Sequence, residues 1–441
     1  MTAILGILNK TAVALAADSA TTHTGGRGEK IYNNAHKLFN ISNHYPVGMM
    51  VCNSAELTGI PWEIIIKMYR KQLVDFKFDY LPDYGKNFAE YLQNSISGLL
   101  DDKDKALAVL RLSTDIANHV IQKLGESWQS DPPPAEIDLN ELANEVLRAN
   151  FLPEILTNFS EKELIDRVVP YSFDNFNDEY GEIIKKNLSA WVRETSGIDI
   201  KLNDETLDSM LSVVYAYSQH QVEFDSTGSW SGVVLAGFGE KDIFPQLVSY
   251  RIGPVFNGEV RIVKEREAKI SSQKPSSIEP FAQSDVIQTF WEGMDPFIID
   301  TVAESMAGVV DHVVDHVIEV LPEGDKEKVQ QWLRDSRPGI LKDLNNSMKQ
   351  VIETKNRKPM LDAIATLSKE DLADMAESLI SLTYLKRRAS FSSESVGGPV
   401  DVAVITKGEG FIWLKRKQYF RPELNLNYIS SVITRTAHPT S

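Results

Sequence analysis

Strand-like and helix-like stretches alternate in five blocks along this chain, and that order constrains the fold more than any other feature. The first block opens with Ala3–Leu8 and Ala12–Ala17, two short apolar runs separated by Asn9-Lys10-Thr11. Their length and branched residues predict a buried hairpin. A loop containing Gly25, Gly26 and Gly28 follows, then strand-like Lys37–Ile41 and Val47–Cys52 around the turn Ser42-Asn43-His44, so the first fifty residues predict an antiparallel meander. From about Ala55 the spacing turns helical: Ile60, Ile64, Ile65 and Met68 share one predicted face, and Val109, Leu112, Ile116 and Val120 another. Asp138, with Glu141 three residues on, predicts a capped helix start ahead of Leu142 and Val146. Strands return at Gly232–Gly237, Gln246–Arg251 and Glu259–Val263, and Ile270–Pro280 reads as an exposed loop. Helices then run from about Asp285 to Lys386, with breaks at Pro322 and Pro338 and a cap at Ser368-Asp371. A hairpin of Val400–Thr406 and Phe411–Lys415 closes the pattern.

Strands that are apolar on both faces yet separated by helices imply sheets covered on both sides. The expected class is α+β, a four-layer α/β/β/α sandwich of two antiparallel sheets with extended helical layers. One domain is expected over 1–441, its strand core near 2–54, 229–265 and 398–418, with helical insertions near 55–225 and 285–388.

Charge and cysteine usage exclude several functions. Lys and Arg number 46 against 62 acids, a net charge of -16. An acidic surface repels phosphate backbones and anionic lipid, so neither nucleic acid nor membrane is an expected partner. The single cysteine, Cys52, excludes an internal disulfide framework and any cysteine-rich metal cluster; it suits a reducing cytoplasm and is also compatible with export. The start of the chain lacks a basic residue ahead of its apolar part and is split by Asn9-Lys10-Thr11, against a signal peptide or a membrane span. A soluble, cytoplasmic protein with a retained N-terminus is expected.

The chemistry concentrates at that N-terminus. Removal of Met1 gives Thr2 a hydroxyl and a free α-amine on one residue. A threonine hydroxyl needs a base beside it. An α-amine with an ordinary pKa of about 7.7–8 suits that task near neutral pH. A lysine ammonium held by a carboxylate would lower the amine's pKa and stabilise negative charge. Asp18 and Lys37, at predicted strand ends, are the available partners. Lys30 competes for the lysine role, but it leads into Asn33-Asn34, whereas Lys37 opens an apolar run.

These residues bear a resemblance. Thr2-Ala3-Ile4-Leu5-Gly6 and Val13-Ala14-Leu15-Ala16-Ala17-Asp18-Ser19 look like the opening of proteasome β-type subunits, with Asp sixteen residues after the processed Thr. Lys37-Leu38-Phe39-Asn40-Ile41-Ser42 resembles the family's lysine strand, and Ser393-Glu394-Ser395-Val396-Gly397-Gly398-Pro399-Val400-Asp401 its Ser/Gly-Gly turn, in wording similar to the bacterial branch called Anbu. The resemblance covers the strand segments, and the long helical stretches carry none of it.

The resemblance implies a threonine-type N-terminal-nucleophile hydrolase, a proteasome-like peptidase acting on peptide or protein substrates, homo-oligomeric and needing no metal or organic cofactor. Thr2 would be nucleophile and base, Asp18 the orienting carboxylate and Lys37 the electrostatic partner. Cys52 stands where the family has its oxyanion-hole glycine, Ser284 answers to a supporting serine, and Ser393 replaces the usual Asp. Thr21, Met50 and Asn53 would contact substrate. A small-substrate amidase and a catalytically silent assembly subunit are the alternatives. His312 and His316, one helical turn apart, form a candidate metal pair without a third ligand, and Gly237-Phe238-Gly239 lacks the strand–turn–helix context of a phosphate cradle.

Overall fold

The computed structural model describes residues 3–25, 28–73, 76–130, 132–134, 137–162, 171–195, 199–220, 230–256, 259–320, 322–389, 397–418, 420–427 and 430. The strands are β1 (Ala3–Asn9), β2 (Ala12–Ala17), β3 (Thr21–Gly25), β4 (Gly28–Tyr32), β5 (Leu38–Asn40), β6 (Val47–Asn53), β7 (Glu56–Leu57), β8 (Ile60–Pro61), β9 (Ser231–Gly237), β10 (Gln246–Phe256), β11 (Glu259–Lys269), β12 (Ser276–Ala282), β13 (Asp401–Thr406) and β14 (Gly410–Lys415). The α-helices are α1 (Trp62–Gln72), α2 (Leu81–Tyr91), α3 (Asp102–Ser130), α4 (Leu139–Val146), α5 (Leu152–Ser160), α6 (Phe173–Thr195), α7 (Asp204–Gln219), α8 (Asp285–Glu292), α9 (Pro296–Val320), α10 (Glu323–Ile352), α11 (Lys358–Ile364) and α12 (Lys369–Ala389). The class is α+β with two large antiparallel sheets, as the block order predicts. Among the described residues no helix is long and apolar enough to cross a membrane.

The chain divides into two compact units, residues 1–38, 243–246 and 268–441, and residues 39–242 and 247–267. The first carries the sheet β12-β1-β2-β13-β14. Every residue of β1, β2 and β13 is buried, which suits their continuous apolar sequence. Ala3, Leu5 and Ile7 on β1 and Ala14 and Ala16 on β2 point to the face that packs on Leu372, Ala376, Leu379 and Ile380 of α12. The Asn9 side chain makes the β1–β2 turn: its Oδ1 accepts from Thr11 N (2.9 Å) and Ala12 N (3.1 Å), while its Nδ2 donates to the carbonyls of Ile364 and Leu367. At Ser368 the hydroxyl accepts from Asp371 N at 3.1 Å and donates to the Asp371 carboxylate, so the expected cap is present.

The second unit carries the sheet β11-β10-β9-β6-β5 and two apolar cores. One lies between that sheet and α1–α2; the other lies among α3, α5, α6 and α7 and includes the expected stripe Val109, Leu112, Ile116 and Val120. Asp138 caps α4 through Asn140 N at 2.8 Å. Arg261 of β11, 8% exposed, donates to the carbonyls of Tyr217 (2.8 Å) and His220 (3.3 Å) and stacks on the Tyr217 ring. It therefore closes the C-terminal end of α7 with a cation, where the helix dipole favours one.

Four expectations are corrected. Ile270–Pro280 is not a loop throughout: Ser276–Ala282 is β12, paired residue by residue with β1 from Ala3↔Ala282 to Asn9↔Ser276. Pro280 is tolerated because β12 is an edge strand. The first fifty residues are not one meander, since β1–β2 and β5–β6 belong to different sheets and β3–β4 form their own ladder across the glycine segment. In α1 the buried face is Trp62, Ile65, Ile66 and Tyr69, whereas Ile64 and Met68 are exposed. Pro322 does separate α9 from α10, but Pro338 lies inside α10 without ending it.

Burial pushes the Tyr84 and Tyr250 hydroxyls of this unit up to about 12 from 10.0. The folded state thus keeps protons that the unfolded chain releases from pH 10 upward. Stability from these groups is fully present below pH 10 and falls as pH rises toward 12. Urea midpoints at pH 8 and pH 11 should show the loss, with a delayed tyrosinate absorbance marking the two rings.

Candidate functional site

Asp18 leaves β2 at the point where the β1–β2 register, Ile4↔Ala17, sets it beside Ala3. Its backbone N–H donates to the Ala3 carbonyl at 3.1 Å. Its side chain is 1% exposed and accepts four hydrogen bonds. Oδ1 takes the Lys37 ammonium at 2.7 Å and the Ala3 N–H at 2.9 Å. Oδ2 takes the backbone N–H groups of Ala20 at 3.1 Å and Gly397 at 3.2 Å. A carboxylate has about four lone-pair sites, so this one is saturated. Lys37 is 6% exposed and sits one residue ahead of β5. Charges this buried persist only when paired, and here each holds the other in a fixed place.

The segment leading into the last hairpin delivers the other side of this cluster. β13 pairs with β2 through Asp401↔Ala17, which brings Gly397 and Pro399 alongside Ser19. Ser19 N donates to the Gly397 carbonyl at 3.0 Å, and the Ser19 hydroxyl donates to the Pro399 carbonyl. Gly398 has φ 75, and a Cβ there would stand 2.9 Å from Asn33 Cβ and 3.0 Å from the Asn33 carbonyl oxygen. Only glycine fits that combination of left-handed backbone and close approach. Asp401 is itself 1% exposed and binds both the Lys417 ammonium (2.5 Å) and the Lys417 N–H (2.8 Å).

Thr2 and Ser393 lie outside the described residues. Thr2 is joined by its peptide bond to Ala3 N, the atom that Asp18 holds. Ser284 precedes α8 without capping it and stands two residues past Ala282, the β12 partner of Ala3. Ala282 has φ 63, a strained left-handed turn for a residue with a Cβ. Half-buried Thr21 opens β3 opposite Tyr32. The Lys30 backbone lies in β4 opposite His23, while Lys37 is the lysine bonded to Asp18.

Met50, Cys52 and Asn53 belong to the other unit, on β6 opposite Val234, Gly232 and Ser231. Val47, Met49 and Val51 face the helix-side core, so Met50 and Cys52 point from the opposite face. Both are buried. The Cys52 sulfur lies over Gly232, where an added Cβ would be 2.5 Å from it. Asn53 ends the strand with φ 64. His312 and His316 stack with centroids 6.5 Å apart, and among the described residues no group of three or more His, Cys, Asp or Glu is placed to hold a metal.

Sequence reasoning brought Asp18 and Lys37 together but did not assign Ser19 or the N–H groups of Ala20 and Gly397 to the carboxylate's surroundings. Gly397-Gly398 was the available signal, since two adjacent glycines before a strand mark a close backbone approach.

No family model matches the chain, and no curated protein matches it. Among solved structures it is similar to the Anbu (Gly-1) mutant from Hyphomicrobium sp. strain MC1, at 9% identity and a TM-score of 0.25, covering 99% of this chain and 96% of that one. Overlap that low transfers neither fold nor chemistry between the two.

Proposed function

We propose that the chain is an N-terminal-nucleophile amide hydrolase, a threonine-type peptidase in which Thr2 attacks the substrate carbonyl once Met1 has been removed. The observation that carries this reading is the Asp18 carboxylate, which holds the Lys37 ammonium at 2.7 Å and the N–H of Ala3 at 2.9 Å. It ties a buried cation to the peptide unit that follows Thr2. In the proposed reaction the Thr2 hydroxyl adds to the carbonyl and its proton passes to the α-amine through water. The amine then protonates the leaving nitrogen as the C–N bond breaks, and a second water hydrolyses the acyl ester to regenerate Thr2. The Lys37 ammonium favours the neutral amine that acts as base. Self-association and a peptide or protein substrate belong to the same proposal.

Intact mass of the purified chain is the first test, with loss of Met1 expected. A threonine-directed electrophile should then add one adduct per chain, and Thr2→Ala should remove both adduct and hydrolysis. Retained Met1, or equal labelling of Thr2→Ala, would sink the catalytic reading in favour of a silent assembly subunit. Cleavage of small acyl-amides but not of fluorogenic peptides would replace peptidase with amidase.

A further inference from the structure

The C-terminal ends of α1 and α2 line a cleft of about 270 Å³ in the second unit, and the proposed hydrolysis makes no use of it. Tyr91, the last residue of α2, is its unusual member. It is 6% exposed, and its hydroxyl has no hydrogen-bond partner among the described residues. Buried hydroxyls are almost always paired, because a bare one forfeits the bonds it made in water. The Tyr91 ring is held in place by Tyr69 and Phe88, with centroids 5.1 Å and 6.3 Å away. Asn87, one turn earlier, also lines the cleft. Its Oδ1 accepts the Tyr69 hydroxyl at 3.0 Å, while its Nδ2 donates to no described residue. Two polar groups at fixed positions thus await a ligand.

The remaining walls narrow the chemistry of that ligand. Glu90 and Asn94 follow Asn87 at helical spacing and share its face. Asn94 sits in a π-helical turn, Leu92–Ile96, that Gln93 pins to β11 by accepting from Val260 N at 3.0 Å. Gln72 adds a third amide from the end of α1. Phe76, 51% exposed, lies nearly parallel to Phe78 at 6.3 Å, so an outward ring keeps a fixed orientation. No Lys or Arg is among the described residues of the lining. An anion would find no cation here and would meet the Glu90 carboxylate. A wholly apolar ligand would strip water from amides, phenol and carboxylate without replacing a bond. A sugar ring satisfies both limits, since each hydroxyl donates and accepts while the C–H face packs on an aromatic ring. The cleft is also smaller than the roughly 300–1,000 Å³ of drug-sized pockets, which suits one ring.

We propose that this cleft binds one neutral sugar ring, whose hydroxyls bond the Tyr91 hydroxyl, the Asn87 amide and the Glu90 carboxylate while Phe76 packs on its C–H face. The site contains no residue of the Asp18 cluster. It is independent of the hydrolase reading and stands or falls without any assay of activity.

Saturation-transfer NMR and calorimetry on the full chain test it, with methyl α-glucoside, methyl α-mannoside and methyl β-galactoside as probes. At least one should bind one-to-one in the millimolar range, as expected for a ligand of about thirteen non-hydrogen atoms. Tyr91→Phe removes only an oxygen that no described residue bonds. Affinity should fall about five- to tenfold, while the urea midpoint of the empty chain holds or rises. A structural hydroxyl would move the midpoint the other way. Phe76→Ala, at an exposed ring, should weaken binding too, with far-UV circular dichroism reporting its fold. Tighter binding of the matching disaccharide would identify a glycan end as the source and equal binding a free sugar, and either supports the site. Absence of saturable binding at about 50 mM of every glycoside, well above a millimolar Kd, overturns the proposal. So does unchanged affinity in Tyr91→Phe, or a lowered midpoint in that variant. Agmatine bound more tightly than every glycoside would make this a cation site instead, and glucose 6-phosphate preferred over methyl α-glucoside would contradict the lining.

Discussion

Lys37→Met is expected to cost about 3–5 kcal/mol of stability, the usual penalty for breaking a buried ion pair from one side, and to abolish the proposed hydrolysis. Methionine fills much of the lysine's volume, so the loss is mainly that of charge. Asp18 would keep its three backbone donors, Ala3, Ala20 and Gly397, but its carboxylate is 1% exposed and would lose its only cation among the described contacts. The double variant D18N/K37M separates stability from chemistry. With both charges gone no unpaired ion is buried, so part of the lost stability should return. The amide nitrogen of D18N still faces backbone N–H groups that a carboxylate oxygen accepted, which keeps the recovery incomplete. The proposed hydrolysis and Thr2 labelling should not return. Urea unfolding of the parent, both single variants and the double variant completes the cycle. A Lys37→Met chain as stable as the parent would show that the pair contributes nothing to the fold, and full hydrolysis in it would remove Lys37 from the proposed mechanism.

What was legible in the sequence follows the range of the interaction. Asp18 and Lys37 could be paired because one ends and the other opens a short apolar run close to the chain start, and a buried charge at a strand end needs a partner. The Gly397 N–H that completes the carboxylate comes from 379 residues away, through the β2–β13 register, and no local pattern encodes it. Ser276–Ala282 hid as a loop because Ser276, Ser277, Glu279 and Pro280 break any apolar run. Its strand character comes from pairing with β1, which supplies a fully apolar partner. The α1 face was misphased by three consecutive isoleucines, Ile64, Ile65 and Ile66, which fit two helical phases equally. The large rings of Trp62 and Tyr69 decide it, being 2% and 1% exposed. Pro338 looked like a stop because proline removes a helical N–H. It is carried within a 30-residue helix, where one missing bond is a small fraction of the ladder.

Gly237→Ala is the second substitution with a large expected effect, more than about 4 kcal/mol, in the range reserved for a forced backbone clash or an unfolded segment. Gly237 closes β9 with φ 141, a conformation that residues with a Cβ rarely adopt. A Cβ there would stand 1.9 Å from the Pro46 carbonyl oxygen and 3.0 Å from Val47 Cα. Both are backbone atoms, fixed by the Val47↔Gly237 pairing and by Phe238 N donating to that same Pro46 oxygen at 3.0 Å. No side chain can swing aside to make room, so the β6–β9 register must give instead. β6 carries Met50, Cys52 and Asn53, and the damage would reach all three candidate positions. Gly239 is constrained in the same way, its added Cβ falling 2.4 Å from Tyr80 Cα. The Gly237-Phe238-Gly239 pair therefore serves close backbone approach and not a phosphate. Gly98→Ala is the matched control, since nothing lies within 4 Å of its added Cβ and its φ is not in the left-handed region. Its urea midpoint should stay within about 0.5 kcal/mol of the parent, as unconstrained surface substitutions do. A Gly237→Ala midpoint equally close to the parent would mean that the β6–β9 end tolerates a Cβ and that the glycine needs another explanation.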